Sequence, residues 1–152
     1  MSQGIRRDDL ESRLIIPLHL GNELERFSIV VNAGDIAANN NAFKVPVFKP
    51  PYAITVKRVL MGVDADIVAA DTDYNTVNLT DGTNVIATVS IGPVLTGTSF
   101  TAGTFEELAV VTTYAVVTAA EQMYIEFVKT GTTGMAMSNL CMQIDYEIND
   151  PS

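Results

Sequence analysis

Near the C-terminal end of the chain, Leu140, Met142, Ile144, Tyr146 and Ile148 alternate without a miss against Cys141, Gln143, Asp145 and Glu147. Successive strand side chains point to opposite faces, so this run predicts a half-buried β-strand with one apolar and one wet face. A helix would smear the same residues around its circumference. A second long strand is predicted over residues 52–67, with Ile54 and Val56 on one face and Val59, Met61 and Val63 on the other. That change of parity implies a bulge or bend near residues 57–60. Shorter alternations surround these two: Phe27, Ile29 and Val31; Phe43, Val45 and Val47; Val77 and Leu79; Val85, Ala87, Val89 and Ile91; Ile125 and Phe127.

Turn chemistry punctuates the strands. Asp81-Gly82, inside residues 80–83, is expected to supply the positive-φ pair of a hairpin turn. Asn32-Ala33-Gly34-Asp35 and residues 37–42 read as turn and loop, Pro50-Pro51 as an extended corner, and Gly92-Pro93 as a strand end. Residues 94–103 read as loop with a brief strand around 98–101, and residues 131–134 as loop. Residues 104–120 send two signals. Thr104-Phe105-Glu106-Glu107 fits a helix capping box, and Phe105, Leu108 and Ala109 would share a helical face. Residues 110–118 are dense in β-branched side chains, which disfavour helix. The expectation is at most one helical turn at 105–108, followed by strand.

Short strands at regular spacing point to an all-β fold, a jelly-roll-like antiparallel β-sandwich. With 152 residues, no Trp and 47% hydrophobic content, the chain can bury a core without metals or disulfides. The sandwich domain is placed at residues 25–152, with the jelly-roll core from about 52 to 148. Residues 1–24 are read as an extended N-terminal arm. There Leu14-Ile15-Ile16 and Leu18-His19-Leu20 flank Pro17, which confines any strand to an edge. The run looks like a segment that packs on its own body or on a neighbour.

Charge divides the chain. Residues 1–58 hold eight Lys/Arg against six Asp/Glu, whereas residues 59–152 hold Lys129 alone against twelve acids. An acidic body repels phosphates, so no nucleic-acid partner is expected. No apolar run approaches the ~18 residues of a membrane span, and no signal-peptide core is visible, so no membrane partner is expected and synthesis is assigned to a cytoplasm.

Candidate chemistry is sparse, and neither enzymatic activity nor a cofactor is expected. His19, the one histidine, lies in the arm, away from any setting that suits a catalytic triad. Cys141, the one cysteine, reads as a small strand residue. Asp64, Asp66, Asp71 and Asp73 invite a calcium reading, and Asp71-Thr72-Asp73-Tyr74-Asn75 begins like a calcium loop. Thr76 stands at the turn-glycine position and Gly82 at the bidentate-glutamate position, so solvated strand ends and loop tips explain these acids better, with no catalytic residue and no metal assigned. Glu106, Glu107 and Glu126 are the carboxylates a glycosidase reading would have to use. Pro50-Pro51-Tyr52 fits a structural corner better than a proline-recognition ligand.

The outline, an arm, a long strand after a proline corner, hairpin-linked short strands and a long alternating last strand, resembles jelly rolls of viral structural proteins over residues 52–148. The acidic, tryptophan-free, Val/Ala/Thr/Gly-rich style is similar to head-decoration (cement) proteins of tailed bacteriophages. That resemblance implies a virion protein on the capsid exterior, made in the host cytoplasm. It would be a homotrimer whose partners are the major capsid protein and itself, stabilising the shell by bridging subunits. A docking arm would carry Arg6, Arg7, Arg13, Leu14, Ile15 and Ile16. If the first and last long strands are sheet neighbours, as in a jelly roll, residues 54–63 pair antiparallel with residues 140–148. Two other classes remain: a receptor- or glycan-binding jelly roll of a virion fibre or spike, with Tyr74 and Phe100 as the exposed loop aromatics, and a small sandwich hydrolase with converging carboxylates.

Overall fold

The long alternating run does form a strand, and it lies between two others. The structure, a computed structural model, describes residues 26–38 and 43–149. Its strands are β1 (Arg26–Ile36), β2 (Phe43–Phe48), β3 (Ile54–Gly62), β4 (Tyr74–Thr80), β5 (Val85–Ser90), β6 (Phe105–Val110), β7 (Val116–Val117), β8 (Met123–Thr130) and β9 (Met137–Ile148). Two antiparallel sheets, β1-β9-β3-β6 and β5-β4-β8-β2, are joined where Ala87 and Thr88 pair with Val110 and Ala109. The short β7 pairs with β3. Apart from the β4–β5 hairpin and the short β7, successive strands cross between the sheets in the order of a jelly roll, and the inner faces close over one core.

β3 pairs antiparallel with β9 from Ile54↔Ile148 to Gly62↔Cys141, the neighbour relation expected of the two long strands. The bulge also falls in the expected stretch: Val56 pairs with Tyr146 and Arg58 with Asp145, which leaves Lys57 as the extra residue. Its effect differs from the expectation. Ile54 and Val56 before it and Val59 and Met61 after it are all buried, because the extra residue cancels the parity change and returns both sets to one core. Leu140, Met142 and Ile144 of β9 face the same core, as do Met123, Ile125 and Phe127 of β8.

The alternations read at residues 27–31 and 43–47 form β1 and β2. Two local expectations give way to the sheet. β1 lines the other side of β9, setting Phe27, Ile29 and Val31 opposite Tyr146, Ile144 and Met142. The expected turn at Asn32–Asp35 is the bulged end of β1. Gly34 takes a positive φ of 73°, and its N–H donates to Asn32 Oδ1 at 2.7 Å, so turn residues shift the register without reversing the chain. Residues 105–108 form strand rather than a helical turn. The Thr104 hydroxyl donates to Thr101 O instead of capping, and β6 is claimed by β3 on one side and β5 on the other. Ladder pairing of residues 105–108 with β3 outweighs a local capping signal, and the helical turn appears later as a 3₁₀ turn at Thr112–Tyr114.

The β4–β5 hairpin is present, with Gly82 alone at positive φ, 97°. Its loop spans four residues, closed by Thr80↔Val85, and Asp81 accepts from the Thr83 and Asn84 amides instead of sharing a two-residue turn.

Candidate functional site

Loops 63–73, 91–104 and 131–136 meet at one end of the sandwich. Loop backbones there carry amides that no sheet ladder satisfies, and an unpaired amide is costly. Loop 63–73 meets them with its aspartates. Asp66 Oδ1 accepts from Ala102 N at 2.7 Å and Asp71 Oδ1 from Val94 N at 2.8 Å. Asp73 Oδ1 accepts from Thr132 N at 2.6 Å and Thr133 N at 3.0 Å. Asp64 accepts from the Asn139 side chain, and Asp35 on β1 accepts from Asn139 N at 2.9 Å. Buried Asn75 adds a bond from Met135 N to its Oδ1 at 2.7 Å. These bonds hold two carboxyls below their usual range: those from Ser138 and Asn139 on Asp64, and those from Thr133 and Thr132 on Asp73.

The acid-rich run is therefore a set of struts, each tied to a different stretch of chain. Among the described residues no three His, Cys, Asp or Glu side chains converge as metal ligands.

The struts hold a turn of unusual composition. Pro93 O accepts from Thr96 N at 3.0 Å and Gly97 N at 2.6 Å, while Thr98 N donates to Ser90 O at 2.8 Å. A side chain on Gly92 would lie 2.2 Å from Ala70 O, and one on Gly97 would lie 2.5 Å from Gly92 N. Only glycine permits backbones this close. At the tip of this fixed turn stand Val94 and Leu95, the latter 95% exposed. Val68, 71% exposed, belongs to the neighbouring loop, flanked by the Ile67↔Phe100 bridge and an Ala69 N bond to Ser99 Oγ. Turn tips are normally Gly, Pro, Asn, Asp or Ser, so two apolar side chains there are a signal. The signal lies in Pro93-Val94-Leu95-Thr96-Gly97, where apolar side chains sit inside loop composition. The aspartate struts had no such signal, because most of their donors are backbone amides.

A second polar region covers the outer face of β1-β9-β3. Arg26 and Lys57 each reach Glu147 at 3.0 Å, and Arg58 reaches Asp145 at 2.7 Å. Ser28 and Gln143 also donate to Asp145. Partial burial of Asp145 opposes its ionisation, but the bonds from Ser28, Gln143 and Arg58 outweigh it and keep the carboxyl below the usual range. Bonds from Lys57 and Arg26 do the same for Glu147.

The other sequence candidates are scattered. Arg6, Arg7, Arg13, Leu14, Ile15, Ile16 and His19 lie outside the described residues. Cys141 is half-buried on β9. Glu106 and Glu107 are adjacent on β6 and so point to opposite faces, while Glu126, on the other sheet, is held by Lys44 and Asn78. Phe100, taken from sequence as an exposed loop aromatic, is 2% exposed and belongs to the core, because its strand-like bridge to Ile67 turns it inward. Tyr74 packs partly buried against that core.

No protein-family model matches the chain, and no curated protein matches it. Solved structures give loose likenesses. The Tobacco streak virus coat protein is 11% identical with a TM-score of 0.32, covering 84% of this chain and 88% of that one. A structure from infectious bursal disease virus, Gx strain, is 10% identical with a TM-score of 0.32 over 80% of this chain. The Gt strain structure is 10% identical with a TM-score of 0.25 over 82%. This chain spans 37% and 36% of those two chains. Likenesses this loose carry no functional argument.

Proposed function

We propose that the protein is a structural virion component that binds the outside of a phage capsid and stabilises it by bridging capsid subunits. One observation carries this reading: among the described residues, most of the acids that could serve chemistry are tied up in local bonds. Asp66, Asp71 and Asp73 brace loops, Asp145 and Glu147 hold the cations of one sheet face, and Glu126 holds Lys44. A jelly roll braced in this way suits a docking body, in an architecture that viral shell domains use. In this reading the arm with Arg6, Arg7, Arg13, Leu14, Ile15 and Ile16 reaches along the shell, and the protein works as a trimer.

Capsids stripped of this protein should sediment with the full chain, whereas a chain lacking residues 1–20 should stay in the supernatant with its melting transition unchanged. Equal sedimentation of the two would overturn the role of the arm. Sedimentation velocity of the isolated protein tests the trimer, and a monomer at all concentrations counts against it.

A further inference from the structure

We infer that the loop end is a second docking surface, built to receive a cationic protein surface that offers both an apolar socket and an apolar side chain. The inference rests on the capsid-binding reading and names the chemistry of the capsid face this end would contact. Three observations converge on it.

The first is Leu95. A leucine almost wholly in water, at the tip of a turn, contributes nothing to the fold, yet the turn beneath it is fixed from several sides. Pro93 O takes two bonds, Val94 N is held by Asp71, and Gly92 and Gly97 leave no room for side chains between the strands of the loop. Ordering a loop costs conformational entropy, and paying that cost before contact leaves more of the contact energy for binding. A rigid exposed apolar knob is the form a binding anchor takes.

The second is a hollow of about 460 Å³ at the same end, lined by Ile36, Ala65, Ile67, Ala136 and Met137. Loop 63–73 contributes to its wall and also carries Val68, so one loop presents both a knob and a recess. The surface can thus give an apolar side chain and accept one.

The third is charge. Asp35 and Asp66 stand in the wall of the hollow, and Asp64, Asp71 and Asp73 belong to the same loop. Among the described residues their hydrogen bonds come from neutral amide, amido and hydroxyl donors, which orient the negative charges without cancelling them. Lys129 is the one described cation at this end, and its ammonium is turned to Thr132 O at 2.9 Å. Arg26, Lys57 and Arg58 sit together on a different face, paired with acids there. An apolar surface rimmed by uncancelled carboxylates is complementary to lysine- or arginine-bearing protein.

The test uses the full chain on stripped capsids. Leu95→Asp should weaken binding about tenfold or more, and Val68→Asp several-fold, since a charge enters the contact while the fold loses nothing. Val30→Asp, on the exposed outer face of β1, should bind like the wild type. Raising salt from about 0.05 M to about 0.5 M should weaken wild-type binding several-fold by screening the carboxylates.

Unchanged binding by Leu95→Asp, with the wild type bound, overturns the loop end alone and leaves the capsid reading in place. Wild-type chain that fails to bind capsids overturns both. Salt-insensitive binding overturns the cationic partner. Self-association of the isolated protein that Leu95→Asp abolishes would assign the surface to a second copy instead and overturn the proposal.

Discussion

The loop end and the outer face of β1-β9-β3 are both rich in carboxylates, and they use them differently. On the sheet face, Asp145 and Glu147 meet Arg58, Lys57 and Arg26, whose side chains are 41% to 65% exposed. Such pairs are screened by salt and contribute little each. At the loop end, Asp66, Asp71 and Asp73 meet backbone amides of other loops. Those bonds have fixed geometry, are not ion pairs, and tie segments far apart in sequence. The contrast teaches that an acid-rich run can be a device for shape. Carboxylates brace where sheet ladders end, and they decorate where ladders already hold the chain.

Glycine substitutions should open the widest gap between the two regions. Gly92→Ala would set a methyl 2.2 Å from a backbone oxygen that has nowhere to go, and should cost about 3 kcal/mol in a denaturant melt. Gly62→Ala, on the sheet face, meets Thr104 O at 3.2 Å and the half-exposed Phe105 ring at 3.3 Å. The ring can swing aside, so the cost should stay below about 1 kcal/mol. Equal costs would erase the claim that the loop end is the tighter of the two.

Acid should act on both regions, and salt should tell them apart. Asp64, Asp73, Asp145 and Glu147 all sit below their ordinary range when folded. Each contributes stability that is fully present above the unfolded carboxyl range, about 4, and is lost as pH falls through the lower folded value. Melting temperature should therefore be level above about pH 5 and drop below about pH 4. Protection of the Thr132 and Thr133 amides, relative to their intrinsic exchange rate at each pH, should fall in that acid window at low and high salt alike. Protection of those amides that salt abolishes at neutral pH would contradict the strut picture.

The smallest effect belongs to the ion pairs. Arg58→Ala should cost about 0.5 kcal/mol at low salt and next to nothing at about 0.5 M salt. A cost that survives salt would mean that Arg58 works through packing instead.

Some of this was legible residue by residue. The closing run showed its strand and inward face because β9 lies between β1 and β3 with one side on the core, so alternation follows directly from burial. The β3 bulge showed itself as a break in parity, since a single extra residue is visible in a period of two. Misread stretches were those where a local signal competed with a distant partner. Thr104–Glu107 carries a helix signature that pairing with β3 overrides. Asn32–Asp35 has turn residues that the ladder with β9 absorbs as a bulge. Phe100, within the brief strand read at 98–101, reads as an exposed aromatic until its bridge to Ile67, thirty-three residues earlier, turns it inward.

By itself the sequence determined which face of the closing strand is apolar, where the long strand before it bulges, and that the body is acidic. These properties depend on near neighbours and on side-chain type, which a linear pattern records. The tertiary structure alone decided that Asp64, Asp66, Asp71 and Asp73 are struts and that Leu95 stands on a rigid knob. An aspartate's role depends on which amide lies within 3 Å, and those amides belong to other loops or, for Asp64, to Asn139 of β9, 23 to 75 residues away in the chain.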